Sequence, residues 1–336
     1  MENNIAVSTF SGCGGSSEGL KQAGWDVVWA NEFVAAASET YCANHKNTFM
    51  CTDDIRGITA QQIFDQAKIK KINLFEGSPP CASFSMSGGR EKLWGKEKKY
   101  SDRFQRTDDL AYIWVDLALS TEADSLLMEN VKGLTIGSAK NYLINIVNTI
   151  RSRGYKVRVI VADATYFGVS QQRPRTYIVA SKIFDPEKIV LKKIPYETPK
   201  QLFSDLKTIV FNNKNKPSII TDNHAVLLEG YKISEYAKEL GWGEAHKKRF
   251  NLVRMHPLRP AQTIVATVSN TGASSVFYWD APDRKFSVNE LKKLFGFPDN
   301  YVFTGTYEQR LERLGRSVCP PVYKHIGKEI LRLSNG

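Results

Sequence analysis

The chain has 336 residues, 42% of them apolar and 24% charged, and 46 Lys+Arg against 35 Asp+Glu leave a formal net charge of +11. That composition excludes a chain disordered throughout, and no apolar run approaches the ~18 to 20 residues of a membrane-spanning helix. Met1-Glu2-Asn3-Asn4 lacks the basic-then-apolar layout of a signal peptide, so a cytoplasmic protein is expected.

Short apolar runs alternate with helical patterns through the first half. A strand is predicted over 5–10, a helix over 15–23, a strand over 26–30 and a helix over 33–44. A strand over 72–75, a helix over 110–119, a strand over 125–128, a helix over 142–150 and strands over 157–162 and 176–180 follow. Such alternation predicts an α/β fold with a doubly wound, mostly parallel sheet, whose ligands sit at the carboxyl ends of the strands. From 184 to 263 the chain is richer in Lys, Asn and Pro and contains His246-Lys247-Lys248-Arg249-Phe250, which reads as a second, smaller domain. Helical periodicity returns over 288–295 and again where Val322, Ile326, Ile330 and Leu333 share one face. These helices are expected to pack back on the large domain, giving segments 1–183, 184–263 and 264–336.

The positive excess points to a polyanionic partner, although a solubility bias gives the same sign. Cys13, Cys42, Cys51, Cys81 and Cys319 are odd in number, and neither they nor the five histidines have metal-ligand spacing. Neither a disulfide framework nor a metal is expected, and one reduced thiol is available as a nucleophile.

Phe10-Ser11-Gly12-Cys13-Gly14-Gly15 follows the first strand and opens a helix, where glycines let the backbone approach a ligand. About twenty residues later, Glu32 follows the second strand, a place suited to holding ribose hydroxyls. Asp54-Ile55 follows a weaker third unit, and its carboxylate can accept from an adenine amino group. Together they indicate an adenosine-bearing cofactor; a bare phosphate is disfavoured by the two carboxylates. Gly77-Ser78-Pro79-Pro80-Cys81 ends a strand, and its prolines fix the backbone before a cysteine, which suits a presented nucleophile better than a buried filler. Glu129 ends another buried strand at the same edge. It either caps the strand or, protonated, donates to a ring nitrogen. In Gln171-Gln172-Arg173-Pro174-Arg175 the arginines at i and i+2 are expected on one side of an extended segment, holding anions or covering surface.

In this order the motifs resemble the 5-methylcytosine DNA methyltransferases, from Ala6 to about Leu331. The cofactor loop, Pro79-Pro80-Cys81, Glu129-Asn130-Val131 and Gln171 to Arg175 are similar to that family's motifs. So are Phe295-Gly296-Phe297-Pro298 and Gly315-Arg316-Ser317-Val318. The resemblance implies a Rossmann-like class I methyltransferase fold with a target-recognition domain, S-adenosylmethionine as cofactor and a cytosine flipped from duplex DNA. By family position Cys81 attacks carbon 6, Glu129 serves ring nitrogen 3, Arg175 binds the cytosine carbonyl oxygen and Arg173 supports the nucleophile loop. Phe10 and Phe33 would sandwich the adenine, Glu32 would hold the ribose, and Asp54 and Ile55 would meet the adenine edge. Gly12, Cys13, Gly14, Pro80, Leu110, Arg316, Ser317 and Val318 would complete the pocket. Ser85, Ser87, Arg90 and Lys92, in a Gly-rich basic stretch after Cys81, are expected to meet DNA, as are Lys247, Lys248 and Arg249. The resemblance also implies a monomer in a prokaryotic or phage-infected cytoplasm at the nucleoid, with a paired restriction endonuclease as its partner. A tRNA substrate, or an inactive DNA-binding homologue, are the alternatives.

Two residues depart from the family pattern. Ala82 stands where a polar amide is usual. Arg316 stands where Asn is usual, beside the methionine part of the cofactor. Arg316 has three possible engagements: a nearby carboxylate, the cofactor's own carboxylate, or the extra carboxylate of carboxy-S-adenosylmethionine. The last would make 5-carboxymethylcytosine the product.

Overall fold

The computed structural model describes residues 4–80, 98–100, 103–105, 107, 109–137, 139–204, 253–266, 276–277 and 286–336. It contains two compact units, Met1–Asp163 with Pro174–Lys192 and Val322–Gly336, and Ala164–Arg173 with Lys193–Pro321.

The first unit begins with β1 (Ile5–Thr9), α1 (Gly15–Ala23), β2 (Asp26–Asn31), α2 (Ala35–Asn44), β3 (Phe49–Cys51), α3 (Ala60–Ala67) and β4 (Leu74–Gly77). A small antiparallel pair, β5 (Lys98–Tyr100) and β6 (Arg103–Gln105), precedes α4 (Leu110–Ser120), β7 (Ser125–Val131), α5 (Ala139–Ser152), β8 (Lys156–Asp163) and β9 (Pro174–Ser181). Seven strands form one sheet in the order β3-β2-β1-β4-β7-β9-β8. Every pair from β3 through β7 is parallel, and β9 runs antiparallel between β7 and β8. The reversal has a simple cause. Segment 164–173 between β8 and β9 is shorter than the crossover of a dozen or more residues that parallel neighbours require. The mixed, mostly parallel α/β sheet agrees with the expected fold class, and the predicted strands and helices fall on β1, α1, β2, α2, β4, α4, β7, α5, β8 and β9.

One sheet face is covered by α4, whose Ala111, Trp114, Val115 and Ala118 are buried at helical spacing against Val7, Phe75, Leu126 and Met128. In α9 (Pro320–Ser334), Val322, Tyr323, Ile326 and Ile330 are fully buried, and Trp25 Nε1 donates to Gly327 O at 3.0 Å. Gly327 is required there, because an added Cβ would come within 2.9 Å of Leu20.

The second unit holds α6 (Pro199–Leu202), the two-residue strands β10 (Val253–Arg254) and β11 (Val276–Phe277), α7 (Val288–Phe295) and α8 (Tyr307–Arg316). Capping boxes start α7, from Ser287 and Glu290, and α8, from Thr306 and Gln309. α7 was expected to pack back on the large domain; it belongs instead to the second unit, where Leu291, Leu294 and Phe295 are buried. α3 and α8 are not among the predicted helices, although in α8 Tyr307, Leu311 and Leu314 stand at i, i+4 and i+7 among six polar residues and one glycine.

Candidate active site

In the first unit, the carboxyl ends of β1, β2, β4 and β7 lie along one edge of the sheet. After β1 the chain turns through Phe10, whose φ of 50° is left-handed and strained for an aromatic residue. Ser11 N donates to Asn31 O at 3.0 Å, which ties this turn to the end of β2. The Glu32 carboxylate then bridges the two loops. Its Oε2 accepts from Gly12 N at 2.9 Å and its Oε1 from Val34 N at 2.8 Å. A carboxylate fixed by backbone donors keeps lone pairs on both oxygens for further donors, such as vicinal hydroxyls. Gly12 sits at φ +55°, and nothing described lies within 4 Å of where its Cβ would be, so the loop is bare on that side. Nearby lie Ile55, Leu110 and Cys13, all buried, and Phe10 and Phe33, half-buried. A fixed carboxylate, a bare glycine turn and an apolar floor suit an adenosine group.

Asp54 has a second task here. Its Oδ1 caps the turn Ile55–Gly57 by accepting from Arg56 N at 3.0 Å, and the Arg56 guanidinium lies 3.4 Å from the same oxygen and 2.9 Å from Asp109. Asn31 Nδ2 holds this third loop to the sheet by donating to Cys51 O and Asp53 O.

The turn before the expected nucleophile is held from below. Ser78 N donates to Thr9 O at 3.4 Å, Ser78 Oγ lies 3.3 Å from the Tyr323 hydroxyl, and Asn130 Nδ2 donates to Pro79 O at 3.4 Å. Cys81 lies outside the described residues, as do Ser85, Ser87, Arg90, Lys92, Lys247, Lys248 and Arg249. One residue before Asn130, Glu129 is buried and pairs with Arg175, Nε to Oε1 at 3.0 Å. This contact needs the antiparallel β7–β9 pairing, which sets Glu129 opposite Tyr177 and Val131 opposite Arg175.

Among the described residues, the bonds of Arg173 and Arg175 go to different partners. In the second unit Arg173 is buried, its Nη1 donates to Ile264 O and its Nη2 to Gly315 O, each at 3.0 Å, and its guanidinium stacks 5.2 Å from the Phe295 ring centre. Gln171, fully buried, accepts from Ile264 N at 3.0 Å. The alternation expected of an extended segment is overridden by these carbonyls, and the described bonds of Arg173 serve the segments at 264 and 315. Also in the second unit, Arg316 pairs with Glu312 one turn earlier on α8, at 2.9 Å, and Ser317 Oγ donates to Val318 O.

One buried group at the edge gives no motif in the sequence. Glu76, in β4, is fully buried and accepts from Ser8 Oγ, which in turn shares a 2.8 Å hydrogen bond with Ser11 Oγ. Burial pushes its carboxyl up to about 7, against the hydroxyls of Ser8, Ser16 and Tyr323, with the charge of Glu129 adding to the rise. Its signal is a charged residue at the carboxyl end of an otherwise apolar strand, Leu74-Phe75-Glu76-Gly77.

Among the described residues no group of His, Cys, Asp or Glu is arranged to hold a metal, and no helix is long and apolar enough to cross a membrane. The family model for C-5 cytosine-specific DNA methylases matches residues 6–332. The type II methyltransferase M.DdeI of Desulfomicrobium norvegicum is 24% identical, over 96% of this chain and 88% of its own. M.NgoFVII of Neisseria gonorrhoeae, also a type II methyltransferase, is 28% identical over 97% of this chain and 86% of its own. The crystal structure of the Dnmt2 methyltransferase of S. pombe superposes with a TM-score of 0.67 at 17% identity, covering 100% of both chains, and supports the fold. With the family model spanning all but the ends of the sequence, this chain belongs to the C-5 cytosine-specific DNA methylases and is a DNA (cytosine-5-)-methyltransferase.

Proposed function

We propose that the enzyme methylates a cytosine flipped out of duplex DNA within a short recognition sequence, using Cys81 as nucleophile and S-adenosylmethionine as donor. The observation that carries this is the Glu129–Arg175 pair, set beside the Pro79 turn by Asn130. The Cys81 thiolate bonds to ring carbon 6. The carbon 5–carbon 6 electron pair moves through the ring to nitrogen 3, which takes a proton from Glu129. Carbon 5 is then the nucleophilic end of an enamine. When bound, S-adenosylmethionine supplies a sulfonium methyl that carbon 5 takes while the bond pair stays on the cofactor's sulfur. The carbon 5 proton leaves to solvent, the enamine pair re-forms and expels Cys81, and nitrogen 3 returns its proton to Glu129.

Arg175, oriented by Glu129, would hold the cytosine carbonyl oxygen, and Arg173 would brace the nucleophile loop through the segments it binds. Glu32 would take the ribose hydroxyls, with Phe10, Phe33, Asp54, Ile55 and Leu110 around the adenine. Gly12, Cys13, Gly14, Pro80, Ser317 and Val318 would line the remainder. Segment 184–263 would read the target sequence, with Lys247, Lys248 and Arg249 on phosphates, while Ser85, Ser87, Arg90 and Lys92 would close on the strand. The described ion pair of Arg316 is with Glu312 of its own helix, which favours methyl rather than carboxymethyl as the transferred group. The names of M.DdeI and M.NgoFVII as type II methyltransferases support a modification enzyme of the restriction-modification kind; with it we propose a monomer paired with an endonuclease and working at the nucleoid.

Bisulfite sequencing and nucleoside mass spectrometry of DNA from cells expressing the protein test this. The expected product is 5-methylcytosine in one sequence context, lost on Cys81→Ser. Product formation by that variant, or carboxymethylcytosine from purified enzyme given carboxy-S-adenosylmethionine, would sink the respective claim.

A further inference from the structure

Arg56 joins two stretches of the first unit that are remote in sequence. Its Nη2 donates to Asp109 Oδ1 at 2.9 Å, across 53 positions, and its Nη1 lies 3.4 Å from each oxygen of Asp54. Asp109 stands at the N-cap of α4, where an aspartate ordinarily accepts from the first turn of its own helix. Here it makes no such bond, and its carboxylate meets Arg56 instead.

Stability does not explain this arrangement. The side chains of Arg56, Asp54 and Asp109 are 30%, 52% and 32% exposed, and ion pairs so open to water add little to folding. Asp54 already caps the turn Ile55–Gly57 through the main-chain nitrogen of Arg56, which needs no guanidinium. What the guanidinium adds is a span. On one side of it stand Asp54 and the buried Ile55, on the other Asp109 and the buried Leu110. Ile55 and Leu110 belong to one apolar cluster, against which Phe10 of the cofactor loop also packs. Asp54 keeps acceptor capacity in this clamp. Its Oδ1 takes both Arg56 N and Nη1, whereas the described partner of Oδ2 is Nη1 alone.

We propose that Arg56 is a positioning residue for the cofactor's adenine, clamping the Asp54–Ile55 turn to the start of α4 so that Asp54 meets the 6-amino group while Ile55 and Leu110 hold the ring. This rests on the assignment of the same edge to S-adenosylmethionine. A guanidinium can bridge two carboxylates because its donors diverge in one plane, whereas an ammonium is a single point. Walls tied together before the cofactor arrives also lower the ordering cost of binding.

Calorimetric titration of the full-length enzyme with S-adenosylhomocysteine and with its inosine counterpart, in which an oxygen replaces the 6-amino group, tests this. Wild type should favour the adenine ligand by about tenfold or more, since Asp54 accepts from an amino group and repels an oxygen. Arg56→Met should weaken the adenine ligand about tenfold and cut the preference to under about threefold. Asp109→Ala should do the same, and the double variant no worse, because each breaks one clamp. Arg56→Lys should fall between. The methylation rate at saturating cofactor and the melting temperature without ligand should stay at wild-type values. Equal binding of the two ligands by wild type, a loss shared equally by both in Arg56→Met, or losses that multiply in the double variant overturn the proposal. If Arg56→Met does not fold, Asp109→Ala carries the same ratio test. A wild-type enzyme that binds neither ligand sinks the cofactor assignment, whereas wild-type binding with an unchanged ratio in Arg56→Met sinks only the clamp.

Discussion

The sheet edge of the first unit is built in two ways. At the β1–β2 end, charge meets backbone: Glu32 is held by the amides of Gly12 and Val34, and the partners are at most twenty residues apart. At the β7–β9 end, charge meets charge: Glu129 and Arg175 come from strands 46 positions apart in number and pair while largely out of water. Backbone donors fix a carboxylate without consuming it, which suits a group that must hold hydroxyls. A guanidinium partner adds an adjustable electrostatic load, which suits a group that must pass a proton.

The largest effect expected from this contrast is at Glu129. Glu129→Gln keeps the shape but removes the proton traffic, and turnover should fall by roughly 10² to 10⁴. Arg175→Met leaves the carboxylate buried and unpaired, with a cost to stability of about 3 kcal/mol or more. Single-turnover rates and thermal unfolding of both variants check this. A Glu129→Gln enzyme within about tenfold of wild type would contradict the proton-transfer role.

The two ends were also unequally legible. The β1–α1–β2 unit is visible as alternating apolar runs with a Gly-rich turn, so Glu32 can be placed from the sequence alone. Glu129 is also visible, at the end of an apolar run. Its partner geometry is not, because it depends on β9 running antiparallel, and strand direction leaves no trace in residue periodicity. Arg173 illustrates the limit. Two arginines at i and i+2 look equivalent, yet one binds carbonyls of a segment some 90 residues on, at Ile264, and the other binds Glu129. Glu76 is not legible in the sequence, because a single acid after Leu74-Phe75 carries no motif. α8 is legible in principle, since Tyr307, Leu311 and Leu314 keep the helical spacing and Thr306 and Gln309 spell a capping box.

At the β2 end, Glu32→Gln keeps an acceptor for one amide but loses the charge. Charge-assisted hydrogen bonds are worth about 1.5 to 3 kcal/mol, so cofactor affinity should fall by roughly 10- to 100-fold. The rate at saturating cofactor should change little. Calorimetric binding and saturation kinetics separate the two, and a fall in turnover with unchanged affinity would contradict the assignment of Glu32 to the ribose.

Two glycines sharpen the same contrast through stability. A Cβ on Gly77, at the end of β4, would overlap the Trp114 indole nitrogen and the Thr9 hydroxyl, so Gly77→Ala should cost about 1 to 3 kcal/mol and lower the unfolding temperature. Gly12 faces open space, so Gly12→Ala should cost only the left-handed backbone penalty of about 1 to 2 kcal/mol. Its new methyl would instead stand on the bare side of the cofactor loop, and the affinity for S-adenosylmethionine should drop. The two substitutions should therefore separate cleanly, one in melting experiments and the other in cofactor binding.

The smallest effect concerns the side of the sheet that α4 covers. Trp114 Nε1 donates to Thr9 Oγ1 at 2.9 Å, and Thr9 Oγ1 donates in turn to Glu76 O at 2.9 Å. Trp114→Phe removes the first bond and leaves the second, because Thr9 keeps its own donor. The loss should be about 1 kcal/mol for the hydrogen bond, with a further contribution from the smaller ring in a fully buried site. Cofactor affinity and methylation rate should stay near wild type, since Thr9 and Gly77 point to α4 and away from Glu76 and Glu129. Denaturant unfolding beside a methylation assay checks both halves. A large kinetic defect in a well-folded Trp114→Phe enzyme would mean that the α4 face transmits to the catalytic edge through Thr9, and the division of labour between the two faces of β4 would have to be redrawn.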